Sequence, residues 1–151
     1  MDNRTANIIE VAPEDTSRTY AAFCVLRQGR PVMASVETFA EWINSRQRPE
    51  GYRIVAAFLT GKPDAVAAAG FRILHQLSKA RYLYVDDLVT LPEFRGQGHA
   101  DLLFAWLLAE ARNQNCEQLH LDSGHSRYDA HRFYLKHGMR MNAHHFSMNL
   151  G

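Results

Sequence analysis

The pattern of apolar and polar positions predicts a chain that mixes β-strands with α-helices. Four strand-like runs lie in the first ninety residues, at 6–11, 52–60, 65–77 and 81–90. The segment Gly61-Lys62-Pro63-Asp64 separates the second run from the third and predicts a hairpin turn. Two further strands are predicted near the end of the chain, at 117–122 and 144–150.

Apolar residues at helical spacing predict four helices, at 14–28, 35–43, 100–116 and 128–137. Ser35 is a candidate N-cap, and Ser45–Gly51 is predicted to be a polar break. The order strand, helix, strand over 81–122 is a βαβ unit, which favours a parallel strand pair. Together with the antiparallel hairpin, this predicts an α/β or α+β fold with a mixed sheet.

Composition and charge narrow the class of protein. The chain has 151 residues, 46% of them hydrophobic, which suits one globular domain over 1–151. The net charge of +1 gives no case for a nucleic-acid partner, and no apolar run has the length of a signal peptide or a membrane span. Two cysteines without a disulfide or zinc pattern agree with a soluble, cytoplasmic protein.

The segment Pro92–Ala100 carries the candidate chemistry, because it joins a predicted strand to the predicted helix at 100–116. Gly96 and Gly98 allow a tight turn that presents backbone N–H groups, and the helix N-terminus adds more of them. Arg95 adds a positive charge suited to phosphate oxygens. The segment lacks the Gly-Lys-Ser/Thr of a Walker loop and the third glycine of a dinucleotide fingerprint. It is therefore a candidate anion site, or else a turn that needs glycine only for its geometry.

Three sequence blocks resemble the GNAT superfamily of acyl-CoA N-acyltransferases. Arg95-Gly96-Gln97-Gly98-His99-Ala100 matches its Arg/Gln-x-x-Gly-x-Gly/Ala signature, and Leu88-Val89-Thr90 before Pro92 is similar to its fourth strand. Ala130–Met139 is similar to its Ala-x-x-Phe-Tyr-x-x-x-Gly-Phe block, although Arg127 stands where many members have asparagine. The resemblance covers about 82–140. It implies a mostly antiparallel sheet with a splayed parallel pair, an acceptor-shaping half (about 1–80) and a cofactor-binding half (about 81–151).

The resemblance also implies acetyl-CoA as the co-substrate. Its pyrophosphate would lie on the N–H groups of Arg95, Gly96, Gln97, Gly98, His99 and Ala100. Its pantetheine arm would lie beside Leu88, Val89 and Thr90, where family members have a bulge, and the Val89 N–H would stabilise the oxyanion.

Candidate catalytic residues follow from the same resemblance. Tyr134 matches the tyrosine that protonates the leaving thiolate, with aromatic packing as the alternative role. Asp86 and Asp87 match an acidic pair that attracts a cationic amine, and one of them could be the base. In a regular strand they would point to opposite faces, with Asp86 on the face of Tyr82 and Tyr84. The alternative is that these carboxylates bind loop N–H groups.

The expected function is therefore direct transfer of acetyl from acetyl-CoA to a primary amine, with a small-molecule acceptor favoured. No cysteine lies in a matched block, so no acyl-enzyme is expected, and the histidines form no metal-ligand set. The alternatives are acetylation of a protein lysine or N-terminus, and a non-catalytic acyl-CoA sensor. Members of the family often pair through sheet edges or C-terminal strands, so a homodimer is also expected.

Overall fold

The computed structural model describes residues 5–27 and 29–151. Its strands are β1 (Ala6–Glu10), β2 (Arg53–Leu59), β3 (Ala67–Gln76), β4 (Ala80–Thr90) and β5 (Gln118–Leu121). Its α-helices are α1 (Tyr20–Arg27), α2 (Val36–Trp42), α3 (His99–Asn113) and α4 (Tyr128–Lys136). The chain divides into two compact units, Met1–His120 and Leu121–Gly151. The organisation as one domain over 1–151 stays a prediction.

The five strands form one mixed sheet in the order β1-β2-β3-β4-β5. Neighbours from β1 to β4 are antiparallel, and the α3 crossover makes β4 and β5 the parallel pair. The predicted fold class is thus confirmed. β4 has eleven residues and β5 has four. β5 begins where the Glu117 N–H donates to the Arg81 carbonyl at 2.8 Å, so it cannot accompany β4 as far as Thr90.

Both faces of the sheet are covered, and β2 beyond Arg53 and β3 as far as Phe71 are accordingly apolar and buried. On one face α1 and α2 pack on Ile54, Ala56, Ala68 and Val89. On the other face lies α3, whose Trp106 ring meets Phe71 edge-on at 5.6 Å between centroids. In the same layer the Arg53 guanidinium forms an ion pair with the Glu110 carboxylate of α3, at 3.2 Å from nitrogen to oxygen.

The helix predicted at 14–28 is present, but its first part is a 3₁₀ helix rather than an α-helix. Residues Pro13–Thr19 form a 3₁₀ helix that runs directly into α1. The predicted last residue, Gln28, lies outside the described residues. The second helix begins as predicted, because the Ser35 hydroxyl accepts the Thr38 N–H at 3.1 Å.

The predicted polar break at Ser45–Gly51 is wrong. Residues Ile43–Gln47 form a π-helical turn and Arg48–Glu50 a 3₁₀ turn. Polar side chains hold this segment in place, since Arg48 donates to the carbonyl of Val11 and to the Thr16 hydroxyl, both at 3.0 Å. These partners lie more than thirty positions earlier in the chain, and local pattern cannot reveal them.

Two predictions near the end of the chain need correction. α3 ends at Asn113 rather than 116, because Asn115 turns the backbone with φ 56°. Residues 144–150 form no strand. Within the described residues no other strand pairs with this segment, and an unpaired backbone has no ladder to hold it extended. Its alternate residues Phe146, Met148 and Leu150 are exposed. Nowhere in the described parts of the chain is there a helix with the length and apolar character needed to cross a bilayer.

Candidate active site

The corner between β4 and α3 has the geometry of an anion site. After a short 3₁₀ turn (Pro92–Phe94), Gly96 and Gly98 take φ values of 73° and 86°. Such values favour glycine, and a Cβ at either position would meet no atom within 4 Å. The backbone N–H groups of residues 96–100 donate to no carbonyl among the described residues. This corner thus offers several N–H donors at the positive end of a fifteen-residue helix.

The side chains of the corner have different roles. Arg95 is exposed, and its Nε donates to the Thr90 carbonyl at 3.4 Å. Gln97 is exposed, and its amide donates to the Glu93 carbonyl at 3.4 Å. The His99 side chain is buried, so this residue can offer only its backbone to a ligand at the corner. Among the described residues neither ring nitrogen of His99 has a hydrogen-bond partner, and burial lowers its pKa.

A β-bulge interrupts β4 just before this corner. Gly70 of β3 lies opposite Asp87 but Phe71 lies opposite Val85, so Asp86 is the extra residue. Beyond the bulge, Val89 is buried in the core under α1 and α2, while Leu88 and Thr90 are half-buried. The bulge shifts the strand's alternation by one residue.

The carboxylates of Asp86 and Asp87 bind two side chains that lie side by side, Arg72 and Tyr52. Asp87 accepts a hydrogen bond from the Tyr52 hydroxyl at 3.1 Å. Asp86 forms an ion pair with Arg72 at 3.0 Å, and the Arg72 guanidinium carbon lies 5.6 Å from the Tyr52 ring centroid. The separation expected for a regular strand does not apply here, because β4 is bulged at this point.

Tyr52 connects the acidic pair to the core. It is 2% exposed, and its pKa is raised well above 10 by burial first and then by the negative charges of Asp87 and Asp86. The phenol thus stays protonated and donates to Asp87. Its ring lies directly over Gly70, where a Cβ would come within 1.7 Å of the hydroxyl oxygen.

A pocket of about 250 Å³ opens beside Tyr52 and Asp87. Its remaining lining comes from α1, α2 and the connections around them: Phe23, Arg30, Val32, Met33, Phe39, Trp42, Ile43 and Gln47. An apolar pocket with a few polar groups is the usual form of a small-molecule site. Asp87 of the acidic pair thus borders a space that could admit an acceptor.

Tyr134 lies in the second compact unit, on α4. It is half-buried, and burial raises its pKa while nearby Arg127 opposes the rise. Among the described residues its hydroxyl has no hydrogen-bond partner. The phenol is thus protonated at neutral pH and available to a ligand.

Several features of the site escaped the sequence analysis. Tyr52 and Arg72 belong to no matched block, and Gly70 looks like an ordinary strand residue. The signal that could have found them is the pair of adjacent acids inside an apolar strand, which demands nearby cations or donors. In the described part of the chain, no group of three or more His, Cys, Asp or Glu side chains could hold a metal ion.

Comparison with known proteins agrees with this geometry. The model of the acetyltransferase (GNAT) family matches residues 18–139. The aminoalkylphosphonate N-acetyltransferase of Salmonella typhimurium is 32% identical over 139 residues, which is 91% of this chain and 86% of that protein. The chain therefore belongs to the GNAT family, and its class is N-acetyltransferase.

Solved structures show the same fold. A structure of AAC(6')-Iy in complex with the bisubstrate analog CoA-S-monomethyl-acetylneamine superposes with a TM-score of 0.80 at 16% identity, covering 97% of this chain and 99% of that one. Glucosamine-6-phosphate N-acetyltransferase from Arabidopsis thaliana superposes with a TM-score of 0.77 at 17% identity, covering 97% and 99%.

Proposed function

We propose that this protein transfers the acetyl group of acetyl-CoA directly to the primary amine of a small molecule. The observation that carries the proposal is the bulge at Asp86. It turns the Asp87 carboxylate toward the pocket on the same strand that leads, within ten residues, to the glycine corner. One strand thus serves both an amine site and an anion site.

The donor would be held by backbone groups. The corner from Arg95 to Ala100 offers N–H groups and the helix dipole to the pyrophosphate. The pantetheine would lie along Leu88–Thr90, where β4 continues past the end of its short parallel partner. In the β3–β4 register Val89 lies opposite Ala68 and the Leu91 N–H donates to the Val66 carbonyl, so the Val89 N–H points toward β3. The donor to the thioester oxygen would instead be an N–H on the open side of β4, such as that of Leu88.

Asp87 is the residue we assign to the acceptor amine. It lines the pocket, whereas the charge of Asp86 is balanced by Arg72. Asp87 would attract the ammonium form and take its proton, directly or through water, so that the neutral amine can attack the thioester. Asp86 is then a positioning residue that fixes Arg72 against the Tyr52 ring.

Tyr134 would complete the reaction as the proton donor to the departing thiolate. The tetrahedral intermediate collapses with cleavage of the carbon–sulfur bond, and the phenol proton goes to sulfur. A raised pKa keeps that proton in place until it is needed. The nitrogen of the product loses its remaining excess proton to solvent, and the phenolate is reprotonated from solvent.

A small acceptor is favoured over a protein by the pocket itself. Its volume of about 250 Å³ and its aromatic walls suit a compact molecule, whereas a peptide substrate would need an open groove. The relative from Salmonella typhimurium is named for a small amine class, which supports the same choice.

The test is thiol release from acetyl-CoA with a panel of small amines and a lysine peptide. We expect release with one or more small amines, and a loss of at least tenfold in kcat/KM in Asp87→Asn. Asp64→Asn is the matched control, because Asp64 is exposed and lies outside the pocket lining. Acetyl-CoA binding without release on any amine would overturn the proposal in favour of a sensor.

A further inference from the structure

We propose that the acceptor carries a terminal oxyanion, such as a phosphonate or carboxylate, and that Arg30 is the residue that binds it. This inference rests on the proposed acetyl transfer and names the substrate class of the same pocket. Arg30 would then determine the preference of the pocket for anionic over neutral amines.

The first observation is the charge pattern of the pocket. Among the described residues that line it, Arg30 supplies the positive charge and Asp87 the negative one. Asp87 is half-buried on β4, whereas Arg30 is exposed and immediately precedes the 3₁₀ turn Pro31–Met33. The pocket therefore has an acidic interior position and a basic position near solvent.

The second observation is that Arg30 has no competing partner among the residues that the structure describes. Within the described residues its guanidinium forms no ion pair or hydrogen bond, whereas Arg53 and Arg72 are each paired with carboxylates. Arg48, a further arginine of this region, is held by Asn44, Val11 and Thr16. The guanidinium fork of Arg30 thus remains available for two oxygens of a ligand.

The two charges fix how a zwitterion would enter. A ligand oxyanion is repelled by Asp87 and attracted by Arg30, so the amine must lead toward β4. Much of the remaining lining is apolar, including Phe23, Met33, Phe39 and Ile43. A short methylene chain suits that surface. The predicted class is therefore a short primary amine with an oxyanion at its other end.

The experiment compares acceptors of matched length. Thiol release is measured with 2-aminoethylphosphonate, β-alanine and n-propylamine, for the wild type, Arg30→Gln and Arg46→Gln. Arg46 is an exposed arginine outside the pocket lining and is the control. We expect the wild type to favour the anionic amines in kcat/KM by about tenfold or more. Arg30→Gln should reduce that preference by lowering kcat/KM for the anionic amines at least tenfold more than for n-propylamine, and Arg46→Gln should leave the preference as it is in the wild type.

The head group is identified by the same data. A preference for the phosphonate over β-alanine indicates a tetrahedral dianion, and the reverse order indicates a carboxylate. The preference should weaken with added salt, since Arg30 is exposed. A wild type that favours n-propylamine, or an Arg30→Gln variant that loses all acceptors equally, would overturn the assignment.

A binding measurement separates this inference from the proposed function. Ethylphosphonate has no amine to acetylate, so its titration by NMR is independent of turnover. We expect Arg30→Gln to weaken its binding about tenfold or more. Weakened binding together with no thiol release on any amine would refute the transferase proposal and leave the Arg30 site standing. Unchanged binding would refute the Arg30 site.

Discussion

Gly70→Ala is the sharpest single perturbation that the structure suggests. A Cβ at this position would lie 1.7 Å from the Tyr52 hydroxyl oxygen and 2.2 Å from Cζ. No rotation of a flexible chain end can relieve this contact, because the atoms belong to a rigid, buried ring. Tyr52 must therefore move, and its hydrogen bond to Asp87 at 3.1 Å must break.

The expected cost has two parts. Forcing an extra carbon into a packed core costs about 1–3 kcal/mol, and losing a hydrogen bond to a charged group costs about 1.5–3 kcal/mol. The free energy of unfolding should thus fall by about 2.5–6 kcal/mol, and for a chain of this size the Tm should fall by roughly 5–25 °C. The kcat/KM for the amine should fall as well, because Asp87 loses the donor that orients it.

The assay is chemical denaturation of four proteins: wild type, Gly70→Ala, Tyr52→Ala and the double variant. If the ring is the obstacle, Gly70→Ala should be at least about 1 kcal/mol less costly in the Tyr52→Ala background. Gly124→Ala is the control, because a Cβ there lies 3.7 Å from the Arg127 side chain, an ordinary contact. An equal cost of Gly70→Ala in both backgrounds would refute the reasoning.

Three further predictions concern the corner and α4. Gly98→Asp should weaken CoA binding by calorimetry at least tenfold more than Gly98→Ala does, because both strain a backbone at φ 86° but only one adds negative charge at the phosphate site. Tyr134→Phe should lower kcat about tenfold to a hundredfold with little change in the KM for acetyl-CoA, and full activity would remove Tyr134 from the mechanism. Burial lowers the pKa of His99 in the folded state, so the unfolded chain binds the proton first as the pH falls below about 6.5. The free energy of unfolding therefore falls with pH, by at most about 1.4 kcal/mol per pH unit from this group. His99→Leu should make this pH dependence less steep. Denaturation curves from pH 7 to 5 that keep the same slope in the variant would contradict this.

Much of the fold was predictable because the deciding signals are local. The turn at Gly61–Asp64 and the apolar runs around it specify the β2–β3 hairpin, and Ser35 caps α2 through its own hydroxyl. The errors arose where distant groups decide the outcome. Ser45–Gly51 winds into helical turns because Arg48 binds residues far away in sequence. Residues 144–150 alternate like a strand, but alternation does not supply a partner.

The candidate site was predictable as a set of positions but not as an arrangement. The glycine corner depends on a backbone conformation with positive φ, which Gly96 and Gly98 in the sequence predict. The motif also included His99, although its side chain packs inward, because a motif does not distinguish a backbone contribution from a side-chain one. Tyr52 was missed because its role depends on contact across two strands.

The bulge at Asp86, which the family resemblance implies for this strand, also has an energetic reason. In a regular ladder Asp86 would lie opposite Gly70, and Asp87 would lie opposite Ala69 in the layer that α3 covers. A carboxylate in that apolar layer would cost several kcal/mol unless it were paired. The extra residue instead puts Leu88 opposite Ala69 and turns Asp87 toward Tyr52. Two adjacent acids in a strand buried on both faces therefore predict a shift in alternation at that point. The same shift that avoids a buried charge supplies the carboxylate that borders the acceptor pocket.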